Sequence, residues 1–247
     1  MAAQSRAIPI VLTRPAEQGA RFAVELHDRF GDAIRVIQSP LLAPRYLQPH
    51  ISGGAWTAVI FTSATAVAAF EQIWPSAGVL PRKAYCVGDR TAKAARDAGF
   101  AAVSAKGDAA ALSALVLGAR ESGPLLHLRG QDTVGNIARQ LVLAGIETDE
   151  AIVYAEVPQN LSEEARTALA ATAPVILPVF SPRTAMILTR ELTGARLVAP
   201  VFAVAFSPAV ADALGAAGTA GLFVARRPDA PSMLAAIGEA LIAAQVA

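Results

Sequence analysis

Short apolar runs alternate with longer amphipathic stretches along the chain. Ile8 to Leu12 is a run of strand length, and in the following stretch Phe22, Leu26 and Phe30 recur at four-residue steps, as on one face of a helix. The same alternation predicts strands at 33–37, 56–61, 84–87, 101–104, 125–128, 151–154, 175–180, 201–205 and 222–224, and helices that include 17–30, 67–70, 90–98, 109–119 and 136–144. Continuous apolar strands that alternate with helices are typical of parallel sheets covered on both faces, so we predict an α/β fold.

An internal repeat indicates two similar lobes. Three pairs of segments match at one offset of 119 residues and in the same order: 61–63 with 180–182, 92–95 with 211–214, and Gly99 with Gly218. More loosely, residues 125–153 resemble residues 8–36. Two α/β lobes of about 110 to 130 residues each have the ordinary size of a domain.

Prolines mark two places where the chain is predicted to cross between the lobes. Three of them lie in 39–52, and Pro158 follows a predicted strand. With both crossings, each lobe holds five predicted strands, and this equality favours a discontinuous division. We therefore predict an outer lobe of 1–38 plus 159–247, a central lobe of 51–152, and connections at 39–50 and 153–158.

Composition narrows the class of protein. The charged fraction of 17% lies below the usual value of about 25%, which argues against a disordered or coiled-coil chain. Twenty-one Lys and Arg against 20 Asp and Glu give a net charge of +1, so a nucleic-acid partner is not expected. The single Cys86 excludes a disulfide framework and fits a reducing compartment.

The mean hydropathy of +0.44 raises the question of a membrane. The longest uncharged stretches, 167–182 and 197–211, contain prolines and are shorter than the roughly 18 apolar residues of a spanning helix. The apolar run at 8–12 is too short for the central region of a signal peptide. We expect a cytoplasmic protein with no membrane segment.

Several kinds of catalytic or metal site have no support in the sequence. His27, His50 and His127 lack the spacing of metal ligands, and we interpret His27 as a surface residue and His127 as a structural one. No P-loop, no nucleophile elbow and no dinucleotide-binding glycine motif is present. Cys86 lies inside a predicted strand and is interpreted as a small buried apolar residue.

Small hydroxyl residues, glycines and arginines gather at five predicted strand ends. In doubly wound folds, ligands bind outside the carboxyl ends of the strands, where helix N-termini present free N–H groups. Simple helix capping by Ser and Thr is the alternative interpretation of each group alone. The five groups together favour an anion-binding cleft between the lobes: Thr13-Arg14, Thr62-Ser63, Gly88 to Thr91, Arg129-Gly130 and Ser181 to Arg183.

These residues resemble, in order along essentially the whole chain, the uroporphyrinogen-III synthase family. The ordered set carries the resemblance, since no single motif is specific. The matching elements are Val11 to Pro15 with Gln18, Pro40-Leu41, Ile60 to Ser63 with Ala66-Val67, Val87-Gly88, Thr91-Ala92, Gly99-Phe100, Arg129-Gly130, Gly145, Val153-Tyr154 and Phe180 to Pro182.

The resemblance implies two α/β lobes joined by a two-stranded connection, with the active site in the cleft between them and with no cofactor and no metal. It implies an enzyme, expected to be a monomer, that cyclises hydroxymethylbilane to uroporphyrinogen III with inversion of the fourth pyrrole ring, through a spiro intermediate and with loss of water. Tyr154 matches the family's candidate catalytic tyrosine. The expected substrate-binding residues are Arg14, Thr62, Ser63, Gly88, Thr91, Arg129, Gly130, Ser181, Arg183 and Ser207.

The outer lobe departs from the family pattern at two positions. Ser207 and Val210 stand where the family usually carries glycine and threonine, so a hydroxyl and a flexible glycine are lost there. Thr65 stands where asparagine is frequent, which is a milder change. These departures keep two alternatives open: a degenerate synthase-like protein, or a two-lobed small-molecule binding protein without catalysis.

Overall fold

The computed structural model describes residues 7–49, 54–73, 81–132, 135–194, 197–215 and 218–246. The chain divides into two compact units, which we call the outer unit (residues 1–43 and 158–247) and the central unit (residues 44–157). The junction predicted between residues 50 and 51 lies outside the described residues.

Strands and helices alternate as the hydrophobic pattern predicts, and the α/β class is confirmed. The strands are β1 Ile8–Leu12, β2 Ile34–Gln38, β3 Leu42–Tyr46, β4 Ala58–Phe61, β5 Lys83–Cys86, β6 Ala101–Ser104, β7 Leu125–Gly130, β8 Thr148–Pro158, β9 Val175–Val179, β10 Val201–Ala205 and β11 Gly221–Val224. The helices are α1 Ala16–Phe30, α2 Ala64–Ile73, α3 Asp89–Asp97, α4 Ala109–Gly118, α5 Ile137–Leu143, α6 Glu163–Ala170, α7 Pro182–Gly194, α8 Pro208–Leu214 and α9 Ala230–Ala244, with a short 3-10 helix at Gly31–Ala33.

One sheet has five strands in the order β11-β10-β9-β1-β2, and the other has six in the order β3-β8-β7-β4-β5-β6. The expectation of five strands in the central lobe is therefore wrong by one strand. The added edge strand β3 falls in the predicted connection 39–50, beside β8, where the N–H of Leu47 donates to the carbonyl of Val153 at 2.9 Å. The apolar pattern missed β3 because Leu42 alone among its five residues is buried.

Both sheets contain a point at which the chain reverses its direction of travel across the sheet. In the central unit the chain passes from β4 outward to β5 and β6, and then returns to place β7 and β8 on the other side of β4. In the outer unit, β1 and β9 are the adjacent strands at the reversal. In parallel sheets the loops at such a point diverge and leave a crevice at the carboxyl ends of the strands.

The inner strands of each sheet are buried on both faces. In the outer unit, Val11 and Ile10 point into separate apolar clusters on opposite faces, and all five residues of β1, β9 and β10 are buried. In the central unit, Phe61 and Ile60 divide in the same way. Complete burial of such a side chain contributes about 1.5–3 kcal/mol, which is why these strands consist of unbroken apolar runs. Within the described residues, no helix combines the length and the apolar character that crossing a membrane requires.

Candidate functional site

Four neighbouring strands of the central unit bring predicted site residues to one edge of the sheet. The N–H of Val87, after β5, donates to the carbonyl of Phe61 at the end of β4 (3.2 Å), and Gly130 of β7 is paired with Tyr154 of β8. Because β8, β7, β4 and β5 are adjacent in this order, their carboxyl-end residues share one edge. We call this group the central site: Thr62, Ser63, Gly88, Thr91, Arg129, Gly130 and Tyr154.

Tyr154 and Ser63 form a direct hydrogen bond between β8 and the start of α2. The Tyr154 Oη and Ser63 Oγ atoms lie 3.1 Å apart. Ser63 also caps α2, since its Oγ accepts a hydrogen bond from the N–H of Ala66 at 3.1 Å. Ser63 can therefore cap the helix and contact Tyr154 at the same time, because a hydroxyl oxygen has two lone pairs and one proton.

Gly130 leaves the space that the Tyr154 ring occupies. A β-carbon at position 130 would lie 2.6 Å from Tyr154 Cζ and 2.8 Å from its hydroxyl oxygen. The strand pairing shifts register between Arg129 and Gly130, so that Gly130 is paired with Tyr154. Glycine is required here for close approach, and the approach holds the tyrosine ring against β7.

A second polar group lies directly beside the first. His127 Nε2 is 3.4 Å from Thr62 Oγ1, and His127 Nδ1 is 3.4 Å from Glu150 Oε1. Arg129 Nε lies 2.9 Å from the same oxygen of Glu150. Burial lowers the pKa of His127 to about 4, against the opposing effect of Glu150. His127 is therefore neutral near pH 7.

Arg129 is largely engaged inside the central unit. Its Nη1 donates to the carbonyl of Gly130 at 2.9 Å and to that of Gln131 at 3.3 Å, while Nε faces Glu150. The guanidinium therefore stiffens the end of β7. Among the described residues, Nη2 is the guanidinium nitrogen without such a contact.

Gly88 and Thr91 occupy the start of α3. Gly88 stands at the N-cap with an extended backbone (φ −146°), and a β-carbon there would meet nothing within 4 Å. Thr91 is buried in the first turn. The first N–H groups of a helix have no partner inside it, so this open helix start can receive an anionic group.

In the outer unit, Ser181 and Arg183 lie at the beginning of α7, after β9. Ser181 Oγ caps the helix by accepting from the N–H of Thr184 at 3.1 Å, and it donates to Thr184 Oγ1 at 2.9 Å. Arg183 is exposed on the first turn. This helix start resembles that of α2, but its serine bonds to a threonine of its own helix.

Arg14 follows β1, at the reversal point of the outer sheet. Its guanidinium lies 4.1 Å from the centre of the Phe180 ring, and its Nη2 donates to Gln18 Oε1 at 3.1 Å. Burial, followed by the charge of Arg21, lowers the pKa of Arg14 from its ordinary value. The stacked aromatic ring holds the cation in place at the strand end.

The two departures from the family pattern occupy the start of α8. Ser207 stands at the N-cap with an extended backbone and no capping bond from its side chain. Val210 is 1% exposed and belongs to the apolar core of the outer unit. The hydroxyl of the matching Thr91 is thus replaced here by apolar packing.

Sequence reasoning missed the partners of the predicted residues. The sequence predicts a structural role for His127 and gives no signal for Glu150, although the two are paired across β7 and β8. His27 is exposed, and its Nδ1 lies 2.8 Å from the carbonyl of Ala23. Cys86 is buried as predicted, and burial raises its pKa to about 11. In the described part of the chain, no group of three or more His, Cys, Asp and Glu side chains is arranged to hold a metal ion.

Comparison with solved structures finds one with the same fold and another that is a weaker match. Uroporphyrinogen-III synthetase from Helicobacter pylori matches with 18% identity and a TM-score of 0.58, over 94% of this chain and 99% of that chain. A mutant uroporphyrinogen III synthase from Thermus thermophilus has 15% identity and a TM-score of 0.46, over 96% of this chain and 100% of that chain. At 18% identity, the match to the Helicobacter pylori structure shows a shared fold.

The family assignment comes from the sequence itself. No match was found among curated proteins. A sequence model of the family described as uroporphyrinogen-III synthase HemD matches residues 30–235, which is well over half of the chain. The chain therefore belongs to the uroporphyrinogen-III synthase family.

Proposed function

We propose that the central site carries the chemistry of this uroporphyrinogen-III synthase, with Tyr154 as its catalytic residue. The enzyme is a cyclising lyase of tetrapyrrole biosynthesis that acts on a small linear tetrapyrrole. The observation that carries the proposal is the Ser63–Tyr154 hydrogen bond of 3.1 Å beside Gly130, at the reversal point of the central sheet.

The reaction asks for positioning more than for a strong acid. In hydroxymethylbilane, the pyrrole nitrogen lone pair can expel the terminal hydroxyl as water and leave an azafulvene. Left alone, this electrophile is attacked by the free position of the last ring, and the product is not inverted. For inversion the substituted carbon of that ring must attack, giving a spiro intermediate that fragments and recloses. The enzyme favours one closure over the other by orienting the linear tetrapyrrole and by placing fixed dipoles around it.

Tyr154 assists departure of the hydroxyl by donating a hydrogen bond or a proton to it. When the Ser63 O–H donates to Tyr154 Oη, the phenolic proton is left to point at the substrate. The capping bond from the Ala66 N–H fixes the Ser63 oxygen, and Gly130 fixes the ring. Tyr154 is thus held from two sides.

Helix starts and arginines bind the acetate and propionate groups. In the central unit we assign the N–H groups after Ser63 and Gly88, with Arg129 beside them, to carboxylates. In the outer unit, the guanidinium and the N–H of Arg183 serve the same role, and so does the N–H of Ala209. Pro182 and Pro208, which directly follow Ser181 and Ser207, carry no N–H. Arg14 adds a stacked cation. Charge-assisted hydrogen bonds of this kind are about twice as strong as neutral ones. The residues proposed to bind the substrate, through its carboxylates or its rings, are Arg14, Thr62, Ser63, Gly88, Thr91, Arg129, Gly130, Ser181, Arg183 and Ser207.

The proposed steps need neither a metal ion nor an organic cofactor, because the pyrrole nitrogen supplies the electron pair that expels water. We further propose that the protein acts as a monomer in the cytoplasm. Its single buried thiol fits a reducing compartment.

Tyr154→Phe tests this proposal, with Tyr85→Phe as its matched control. Tyr85 is also a tyrosine of the central unit, and its hydroxyl donates to Glu121 Oε1 at 2.6 Å, at the opposite, amino end of the sheet. We expect Tyr154→Phe to slow formation of the type III isomer by about ten- to a hundredfold, the lower range for loss of a general acid. Tyr85→Phe should retain the wild-type rate. An unchanged rate in Tyr154→Phe would remove Tyr154 from the mechanism.

A further inference from the structure

Three polar groups form a continuous line behind the central site. His127 of β7 is paired with Ile60 of β4 on one side and with Glu150 of β8 on the other. Its Nε2 reaches Thr62 Oγ1 and its Nδ1 faces Glu150 Oε1, both at 3.4 Å. The imidazole therefore lies between a carboxylate on one strand and a threonine hydroxyl two strands away, and its buried Nδ1 faces the carboxylate without a hydrogen bond of regular geometry.

The surroundings of His127 select one tautomer. His127 is 3% exposed, and this burial lowers the pKa of the imidazole to about 4, so that the ring is neutral near pH 7. A neutral imidazole carries one proton, and an ionised carboxylate can only accept. Arg129 Nε, 2.9 Å from Glu150 Oε1, provides the countercharge for that carboxylate. The proton therefore belongs on Nδ1, which faces Glu150, and Nε2 carries a lone pair.

This tautomer determines the direction of the next hydrogen bond. Because Nε2 can only accept, the Thr62 O–H donates to it, and the oxygen of Thr62 keeps two lone pairs for other partners. Thr62 is half-buried at the end of β4, next to Ser63 and its bond to Tyr154. A carboxylate of the substrate would meet these lone pairs with its own, which is repulsive. A pyrrole N–H would meet them as a donor.

We propose that His127 is a positioning residue that makes Thr62 a hydrogen-bond acceptor, and that the Thr62 hydroxyl binds a pyrrole N–H of the linear tetrapyrrole. The inference rests on the proposed function, since it assumes that the tetrapyrrole binds at the central site. In this arrangement, backbone N–H groups and Arg129 bind the carboxylates of the substrate, and the Thr62 hydroxyl binds a ring nitrogen. Such a contact depends on the orientation of one pyrrole ring, and ring orientation distinguishes the closure with inversion from the closure without it.

Nitrogen NMR of the folded protein tests the tautomer without any substrate. The sequence has three histidines, and the His127→Gln variant assigns the signals of this one. Between pH 6 and 8 we expect a protonated, pyrrole-like Nδ1 and an unprotonated, pyridine-like Nε2 at His127. In Glu150→Gln this preference should be lost, because an amide can both donate and accept. A protonated Nε2 in the wild-type protein would overturn the inference.

Kinetics test the contact with substrate. We expect Thr62→Val to lower kcat/KM for the type III product about three- to tenfold, the value of one neutral hydrogen bond, and to raise the fraction of type I product. Thr62→Ser, which keeps the hydroxyl, should recover most of this loss. Thr57→Val is the matched control, because Thr57 stands just before the same strand at its other end, with its hydroxyl 3.4 Å from Glu121 Oε2. It should stay within twofold of wild type.

Glu150→Gln separates an accepting Thr62 from a donating one. We expect a loss of about threefold in kcat/KM, and no further loss when Glu150→Gln is added to Thr62→Val, because both changes act on one interaction. Wild-type activity in Glu150→Gln together with a loss in Thr62→Val would overturn the role of His127. A wild-type enzyme that yields type I product alone would overturn the proposed function and leave the NMR result standing as evidence on the tautomer.

Discussion

Apart from the additional edge strand β3 of the central sheet, the two units share one sheet layout but differ in the chemistry placed on it. The central unit runs β8-β7-β4-β5-β6, and the outer unit runs β2-β1-β9-β10-β11, so that the chain reverses beside β4 in one and beside β9 in the other. β1 holds the place in its sheet that β7 holds in the other. All five residues of β1 are buried and none is charged, whereas β7 carries His127 and Arg129.

The same contrast holds at the helix starts. In the central unit, Ser63 bonds across to Tyr154 on another strand, while the matching Ser181 bonds to Thr184 in its own helix. Thr91 has its match in Val210, which is part of an apolar core. One architecture thus supports a polar network in one unit and plain packing in the other. The shared fold therefore gives both units helix N-termini at the strand ends. Side-chain contacts between strands add the polar network, and these are found in the central unit.

The largest expected effect comes from Gly130→Ala. The new β-carbon would lie 2.6 Å from Tyr154 Cζ, so the ring must move away from Ser63. We expect type III formation to fall by about a hundredfold, the lower end of the range for a general acid, and stability to fall by about 1–3 kcal/mol from overpacking. Gly118→Ala is the control, since its β-carbon meets nothing within 4 Å. Wild-type kinetics in Gly130→Ala would break the claim that the close approach of Tyr154 matters.

Ser63→Ala should have the next largest effect. It removes both the partner of Tyr154 and the cap of α2, so we expect type III formation to fall about tenfold and stability to fall by about 1 kcal/mol. Ser162→Ala, in the outer unit, removes only a cap, because Ser162 Oγ accepts from the N–H of Ala165 at 3.3 Å. It should lose similar stability with unchanged kinetics. Steady-state rates and urea unfolding of both variants measure the difference, and equal rates in the two would show that Ser63 is a cap alone.

Exchanging the matched residues of α3 and α8 tests whether the two units differ in function at this position. Thr91→Val should lower type III formation about three- to tenfold, because a hydroxyl at the central site is lost. Val210→Thr should leave the rate within twofold and lower stability by about 1–3 kcal/mol, because it buries a hydroxyl in an apolar core. A gain of activity in Val210→Thr would show instead that the outer unit had lost a working group.

The last expected effect concerns stability: His127 makes the stability of the central unit depend on pH. Its folded-state pKa of about 4 lies below the ordinary value of 6.5, so between these pH values the unfolded state binds the additional proton. The contribution is fully present above pH 6.5 and is lost as the pH falls toward 4, with a slope of at most about 1.4 kcal/mol per pH unit. Urea unfolding at pH 5 and 7 should show a smaller difference in His127→Gln than in wild type. Equal differences would contradict a buried neutral imidazole.

The hydrophobic pattern was sufficient to predict the strands that are buried on both faces, such as β1, β9 and β10, because each is an unbroken apolar run. It was not sufficient for β3, which buries Leu42 alone and is held at the sheet edge by its backbone. The hydrophobic pattern reflects which side chains are buried, and an edge strand buries few of them.

The site divides in the same way. Strand ends could be predicted, since Thr62 and Ser63 directly follow an apolar run. The contacts of His127 with Glu150, and of Gly130 with Tyr154, depend on the register between β7 and β8 and on the shift at Arg129. Register between strands far apart in sequence leaves no local signal, so these partners became visible only in the folded chain.

The most direct test of the account is the isomer ratio that the wild-type enzyme produces. Fresh hydroxymethylbilane is supplied to the folded protein, the products are oxidised, and type I and type III uroporphyrin are resolved by chromatography. We expect type III to predominate, which would also show that Ser207 and Val210 are compatible with activity. Type I alone, at the rate seen without enzyme, would contradict it.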